Sequence, residues 1–401
     1  MNRNLLLVTA SLFTWGLGES GFLYFQTLYL DQLGADPLLI GGILSAVGVA
    51  MAAFQIPAGY LADRWGQRPM MWASWIIGAA AAWMMALAPS LLPFVIGLLL
   101  YNLTSYVLAP MNSYITAVHG RWSPARALTL ASGGFNLGAA GGPLLAGWIA
   151  TRYGLRMVYV FGSAILMISV ILILLIQRAP TEPHTAHTSE RSDIFANRRL
   201  LLLAGSTLLT MFVLYLPQPL TSNYLVTVKQ LDYQQIGLLG MIASLGNAFV
   251  MFALGNLNPL GGFLLGQSLA ITFSLFLWRG ESLAWFAVGY LFLSGYRLSR
   301  SMVTALARSL VSPRQTGLAF GLLETCNGAA VIVAPAIAGW LFSRDPSSIY
   351  IVALIAGLLV FLLNWVVSQR ALRPTPLSAA PAPTSEHIPP NPTSQEGKTI
   401  V

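Results

Sequence analysis

Gly59-Tyr60-Leu61-Ala62-Asp63-Arg64-Trp65-Gly66-Gln67-Arg68-Pro69-Met70-Met71 is a short polar stretch in a very apolar chain. Apolar runs flank it, residues 37–58 before and 70–88 after. A helix of about 20 residues crosses the ~30 Å hydrocarbon core of a bilayer. The stretch therefore reads as a polar loop of about ten residues joining two membrane spans. It holds one acid, Asp63, and two bases, Arg64 and Arg68. Gly59 and Gly66 are expected to supply close backbone approach or a positive φ in a tight turn.

The whole chain carries the same pattern. Of its 401 residues 56% are hydrophobic and 8% charged, against roughly 25% charged in a soluble domain. So few charges cannot solvate the surface of a globule this long. The apolar blocks are too long and too little alternating for a β-barrel. The reading is an all-α, polytopic membrane protein with candidate spans 5–30, 37–58, 70–88, 91–117, 126–150, 156–177, 200–226, 235–257, 260–279, 281–307, 316–342 and 349–368. The first run is too long for a signal-peptide core and is read as a retained span.

The net charge of +8 invites a nucleic-acid reading, which the placement of the bases excludes. With the N-terminus cytoplasmic, Arg64, Arg68, Arg121, Arg126, Arg198, Arg199, Arg308, Arg314 and Arg370 all fall inside. Only Arg152, Arg156, Lys229, Arg279 and Arg344 fall outside. That is the positive-inside bias of an inner or plasma membrane protein with both termini cytoplasmic. The surplus charge suits anionic inner-leaflet lipid. Cys326 is the single cysteine, so an intrachain disulfide is impossible. His184 and His187 lack a third ligand for a metal. No nucleophile–base pair, cofactor motif or phosphate loop is present, which speaks against an enzyme and against ATP as the energy source.

The chain repeats itself. Ile40-Gly41 returns as Ile236-Gly237, Pro143-Leu-Leu-Ala-Gly-Trp148 as Pro335-Ala-Ile-Ala-Gly-Trp340, and Ser123-Pro124 as Ser312-Pro313, at offsets of 196, 192 and 189 residues. Two six-helix halves follow, 1–177 and 200–370, joined by a polar linker 178–199 and followed by a Pro/Ser/Thr-rich tail 371–401 expected to be disordered. Parallel repeats of this kind place a substrate site at their shared interface.

The opening stretch resembles the signature loop of the major facilitator superfamily, G-x-L-a-D-r-x-G-r-k, at Gly59, Leu61, Ala62, Asp63, Arg64, Gly66 and Arg68; Gln67 stands where a base is usual. Gly138, Gly142, Pro143 and Gly147 resemble the family's antiporter motif, with Ala146 in place of a glycine. The resemblance covers about residues 5–370. It implies twelve transmembrane helices in two pseudo-symmetric bundles and secondary transport by rocking of the halves. It also implies an inner latch, with Asp63 against the start of the eleventh span near Thr316-Gly317 and Arg64 and Arg68 bridging acids or headgroups. The fifth-span motif would form a leak-proof hinge of an exporter, or ordinary small-residue packing. The intramembrane Arg that many relatives carry in the fourth span is missing.

Four charges fall inside spans: Glu19, Arg297, Arg300 and Glu324. Each costs roughly 2.5–3.5 kcal/mol near the bilayer centre. Arg300 lies eight residues before Arg308 and Glu324 eight after Thr316, so both sit about 12 Å from the cytoplasmic helix ends. An Arg300–Glu324 ion pair follows. Arg297, one turn deeper on the same face, is left for the cavity or joins a static cluster. Glu19 lies about 21 Å along the first span, with no base nearby, and is the candidate proton carrier; Glu324 is the second. The alternative for Glu19 is a carboxyl that only hydrogen-bonds a neighbour. Further candidate substrate contacts are Tyr24, Gln26, Asn136, Tyr215, Gln218, Asn247 and Asn327, each of which could instead be a packing hydrogen bond. Pro217 and Pro219 should unwind the seventh span.

The expectation is a monomeric carrier in a lipid bilayer, without cofactor, metal or nucleic acid. It would use protons to export a small amphipathic or polar solute. The alternative is proton-coupled uptake of an organic, perhaps anionic, solute held by Arg297. A non-transporting receptor or scaffold on the same fold is a third reading.

Overall fold

The computed structural model describes residues 2–178, 197–312 and 315–370, without the side chains of 55–63, 65, 369 and 370. The expected tail and almost all of the expected linker, with His184 and His187, lie outside the described residues. Every regular element described is helical. The first half consists of α1 (Arg3–Leu23), α2 (Gln26–Gln32), α3 (Pro37–Trp65), α4 (Gln67–Leu87), α5 (Leu91–Leu103), a 3-10 turn (Thr104–Val107), α6 (Leu108–Ala117), α7 (Pro124–Tyr153) and α8 (Leu155–Leu174). The second half consists of α9 (Arg198–Tyr215), α10 (Thr221–Thr227), α11 (Tyr233–Leu254), α12 (Pro259–Arg279), α13 (Leu283–Phe292), α14 (Ser294–Leu310), α15 (Thr316–Arg344) and α16 (Ser348–Arg370). With α1–α2, α5–α6, α9–α10 and α13–α14 taken as broken rods, the helices follow the order of the expected spans. Among the described residues, ten segments are long and apolar enough to cross a bilayer. The rods below that mark are α7, rich in glycine, and α13–α14, which is interrupted and carries Arg297 and Arg300.

The signature stretch is not the ten-residue loop expected from its polarity. α3 runs on through Gly59 to Trp65, and α4 begins at Gln67. Gly66 alone leaves the helical conformation, with φ +82°, in a region of backbone space that is essentially glycine's own. Leaving the hydrocarbon core does not by itself end a helix; a residue that reverses the backbone does. Gly59 lies inside α3 and makes no turn.

The seventh span breaks between Tyr215 and Thr221, where Pro217 and Pro219 each remove a backbone donor. The first span breaks at its repeat-mate, Tyr24-Phe25, with no proline to announce it. The fourth span tightens to a 3-10 turn just before Pro110, whose missing N–H cannot serve the carbonyl four residues back.

The loop repeat proves to be a turn-and-cap device. Gly34 and Gln230 both take positive φ, +92° and +58°. Asp36 and Asp232, two residues later, both cap a helix: Leu39 N–H donates to Asp36 Oδ1 at 2.7 Å and Gln235 N–H to Asp232 Oδ1 at 2.7 Å. Each cap launches the helix carrying the repeated Ile-Gly pair.

Within each half, small residues and buried polar bonds hold the helices. α1 is wedged between α7 and α8. A Cβ on Gly138 would strike the Phe13 carbonyl, and one on Gly18 would come within 2.9 Å of the Gly162 carbonyl oxygen. So Gly138 and Gly142 serve close packing against α1, and α7 passes through Pro143 without a break. Trp75 Nε1 donates to Ser169 Oγ at 2.9 Å, and Ser169 Oγ donates to the Ser11 carbonyl at 2.6 Å. At the equivalent place in the second half Asn364 donates to Thr210 and Gln267 at 2.8 and 3.0 Å.

The halves meet at one end of the bundle. We call it the crown, and the opposite end, where α1 starts and α16 finishes, the base. There the repeated motifs cross over. A Cβ on Gly41 would strike the Pro335 carbonyl, and one on Gly339 the Pro37 carbonyl. A Cβ on Gly237 would strike the Pro143 carbonyl, and one on Gly147 would lie 2.6 Å from the Tyr233 carbonyl oxygen. Among the described residues, the hydrogen bonds that cross between the halves are Ser222 to the Tyr24 carbonyl (3.0 Å), Asn223 to the Thr27 carbonyl (3.3 Å) and Ser244 to the Ala139 carbonyl (3.3 Å). Toward the base the same helices diverge: Gly133, Gly317, Gly321 and Gly328 have open space where a Cβ would stand. Gly237→Leu in a Cys326→Ala background should therefore fold yet fail to close the crown. A cysteine at Ser222 should then react faster with an impermeant thiol reagent added on the crown side; an unchanged rate would refute the contact's role.

Candidate functional site

A cavity of 490 Å³ lies between the halves, below the crown contacts. Its walls include Trp15, Glu19, Trp75, Tyr101, Phe135 and Asn136 from the first half and Arg297 from the second. Glu19 reaches it because Gly16, Gly18, Ser20 and Gly21 turn the buried sides of α1 to α7 and α8. Ser20 Oγ is tied back to the Gly16 carbonyl at 2.6 Å. Behind Glu19 the rings of Trp15, Trp75 and Tyr101 form a cluster, with Trp15 5.2 Å from Trp75 and stacked on Tyr101 at 5.9 Å between centroids. The phenol oxygen of Tyr101 is buried without a hydrogen-bond partner by distance and angle.

Below it a wider vestibule of 680 Å³ is lined by the polar face of α14: Arg297, Arg300, Ser301, Thr304 and Arg308, opposite Glu324 and Phe320. The i, i+3, i+4, i+7 spacing puts these residues on one stripe. The pair expected from helix depth is present. Arg300 Nη2 lies 2.5 Å from Glu324 Oε2, and Nε donates to Oε1 at 3.3 Å. The pair is about half exposed, so solvent screening holds its contribution near 0–1 kcal/mol. Arg297 is not in it. Arg297 makes no ion pair with a described residue and lines both spaces, so the static three-charge cluster does not form.

Nearer the crown a third space, 330 Å³, gathers Tyr24, Gln26, Tyr215 and Gln218 around the breaks in the first and seventh spans, with Tyr290 and Phe273. The remaining candidates stand apart. Asn327 is buried and accepts a hydrogen bond from Tyr296 Oη at 2.8 Å; Asn247 lines none of the three spaces, and its Oδ1 is buried without a partner. Asn327 therefore fits packing better than substrate contact. The aromatic cluster went unrecognised in the sequence, although Trp15, one turn before Glu19, carried a usable signal.

At the base Arg64 is exposed. Arg68 lies over the Trp72 ring at 4.0 Å, and its Nε is buried without a hydrogen-bond partner. Arg68 thus packs on an aromatic face within its own helix. The Asp63 side chain lies outside the described residues.

The model of the Major Facilitator Superfamily matches residues 7–295, and the chain belongs to that family of membrane transporters. The multidrug resistance protein MdtG of Citrobacter koseri is 28% identical over 284 residues, 67% of this chain and 69% of that protein. MdtG of Salmonella typhimurium is 29% identical over 273 residues, 65% and 67% of the two chains. The crystal structure of the nucleoside transporter NupG superposes with a TM-score of 0.79 at 15% identity, over 91% of this chain and 99% of that one; at that identity the likeness is one of fold.

Removing either member of the Arg300–Glu324 pair leaves the other charge without its partner. Arg300→Ala and Glu324→Ala should each lower thermal stability or transport more than the double variant does. Strictly additive losses in that cycle would show that the two do not act as a pair.

Proposed function

We propose that this chain is a proton-coupled exporter of a small amphipathic or polar organic solute, working as a monomer by alternating access. The base faces the cytoplasm, with both termini on that side. The observation that carries the reading is Glu19: a carboxyl on a spanning helix, lining a cavity between halves that interlock at the crown and part toward the base. Intramembrane acids are costly and mark proton or substrate pathways. The printed name of the MdtG relatives supports export, and the positive-inside bias supports the orientation.

In this mechanism solute enters from the base and settles beside Glu19. The crown contacts then part as the base closes. Solute leaves past Tyr24, Gln26, Tyr215 and Gln218, where the broken spans give way. A proton taken up by Glu19 from the outer side returns the carrier. Asp63, Arg64 and the start of α15 form the latch that closes the base, and Gly147 with Pro143 seals the crown. Glu324 serves as a second proton site or only anchors Arg300.

Proteoliposomes with an imposed pH gradient test both coupling and direction. Glu19→Gln should reduce gradient-driven flux to background while leaving solute counterflow in place. Unaltered pH-driven flux would remove Glu19 from the mechanism, and accumulation toward the acidic rather than the alkaline side would separate antiport from symport.

A further inference from the structure

Glu19 and Arg297 come from opposite halves, line the same 490 Å³ cavity, and are not paired with each other. Arg297 has no acid partner among the described residues. Two opposite charges on facing walls of one space, not touching each other, are engaged together by a molecule that carries both signs, whereas a proton answers Glu19 alone and leaves Arg297 free for an anion. A solute with one charge would engage one wall and leave the other facing water.

The surroundings fix which end goes where. Beside Glu19 stand the rings of Trp15, Trp75 and Tyr101, and aromatic faces attract a cation. Around Arg297 the vestibule adds Arg300 and Arg308 against the one carboxylate of Glu324, so an arriving anionic group is drawn to the second half. Leu12, Met51, Ile115 and Phe135 give the space between an apolar lining.

We infer that the cavity takes a zwitterionic solute with an apolar body, its cationic group against Glu19 and its anionic group against Arg297. This rests on the transporter reading of the cavity and names the substrate class for it. Such a solute touches both halves at once. Its cationic group also competes with the proton for Glu19, the relation that exchange requires.

A matched set separates the charges by an apolar body: 3-(4-(aminomethyl)phenyl)propanoic acid, zwitterionic at pH 7; 3-(4-methylphenyl)propanoate, lacking the amine; and (4-propylphenyl)methanamine, lacking the carboxylate. Binding is measured calorimetrically on the full chain in phosphatidylcholine nanodiscs. The zwitterion should bind at least about tenfold tighter than either analogue, as one charge-assisted contact implies. Glu19→Gln should bring it down to the level of the propanoate and Arg297→Gln to that of the amine, while Arg297→Lys keeps most of the preference. Monodispersity and an unchanged melting temperature show that each variant is folded. The inference is overturned if either singly charged analogue binds as tightly as the zwitterion, if none of the three binds, or if the preference survives both neutral substitutions. Loss of the preference with Glu19-dependent, pH-driven flux intact would discard the zwitterion and keep the exporter. Retention of the preference with flux indifferent to Glu19→Gln would do the reverse.

Discussion

The fold turns on backbone touching backbone at four glycines. Gly41 and Gly339 bring α3 against α15, and Gly237 and Gly147 bring α11 against α7. Each glycine faces the carbonyl region at the start of the partner's motif, so the duplicated sequence becomes two equivalent crossings about a pseudo-twofold axis. Within a bilayer no hydrophobic force drives helices together, and association rests on close packing and interhelical hydrogen bonds. Both are concentrated at the crown. Nothing comparable joins the described residues of these helices at the base, where the glycines face open space. A contact that depends on the absence of a Cβ is made or lost as a unit, and that suits it to a two-position device.

The asymmetry between the halves is chemical rather than architectural. Each half has a capped crown turn, a broken lining helix and a buried polar cluster joining three helices. The first half then places a carboxyl among indoles and a phenol, whereas the second places an amphipathic, basic helix beside a single acid. A symmetric scaffold thus holds a polar axis across its cavity.

Depth was legible in the sequence and direction was not. A helix rises by a fixed amount per residue, so Arg300 and Glu324 could be set at one level by counting, and they meet. The prolines of the seventh span announced its break. The matching break at Tyr24 had no local signal and follows only from the repeat. Polarity overstated the signature loop, because a helix continues into water until a residue such as Gly66 reverses the backbone. Which face a side chain turns inward depends on packing against helices far away in sequence. For that reason Asn327, spent on Tyr296, could not be told from Asn136, which lines the cavity.

The central claim is that crown and base open in opposition. Spin labels at Arg152 and Gln234 report the crown ends of α7 and α11, and labels at Ala125 and Asn256 report the base ends of the same two helices. Pulsed dipolar distances for both pairs, measured with Glu19 intact and with Glu19→Gln as a protonated mimic, should change in opposite senses. Two distances that lengthen together, or a crown distance that never moves, would contradict the account.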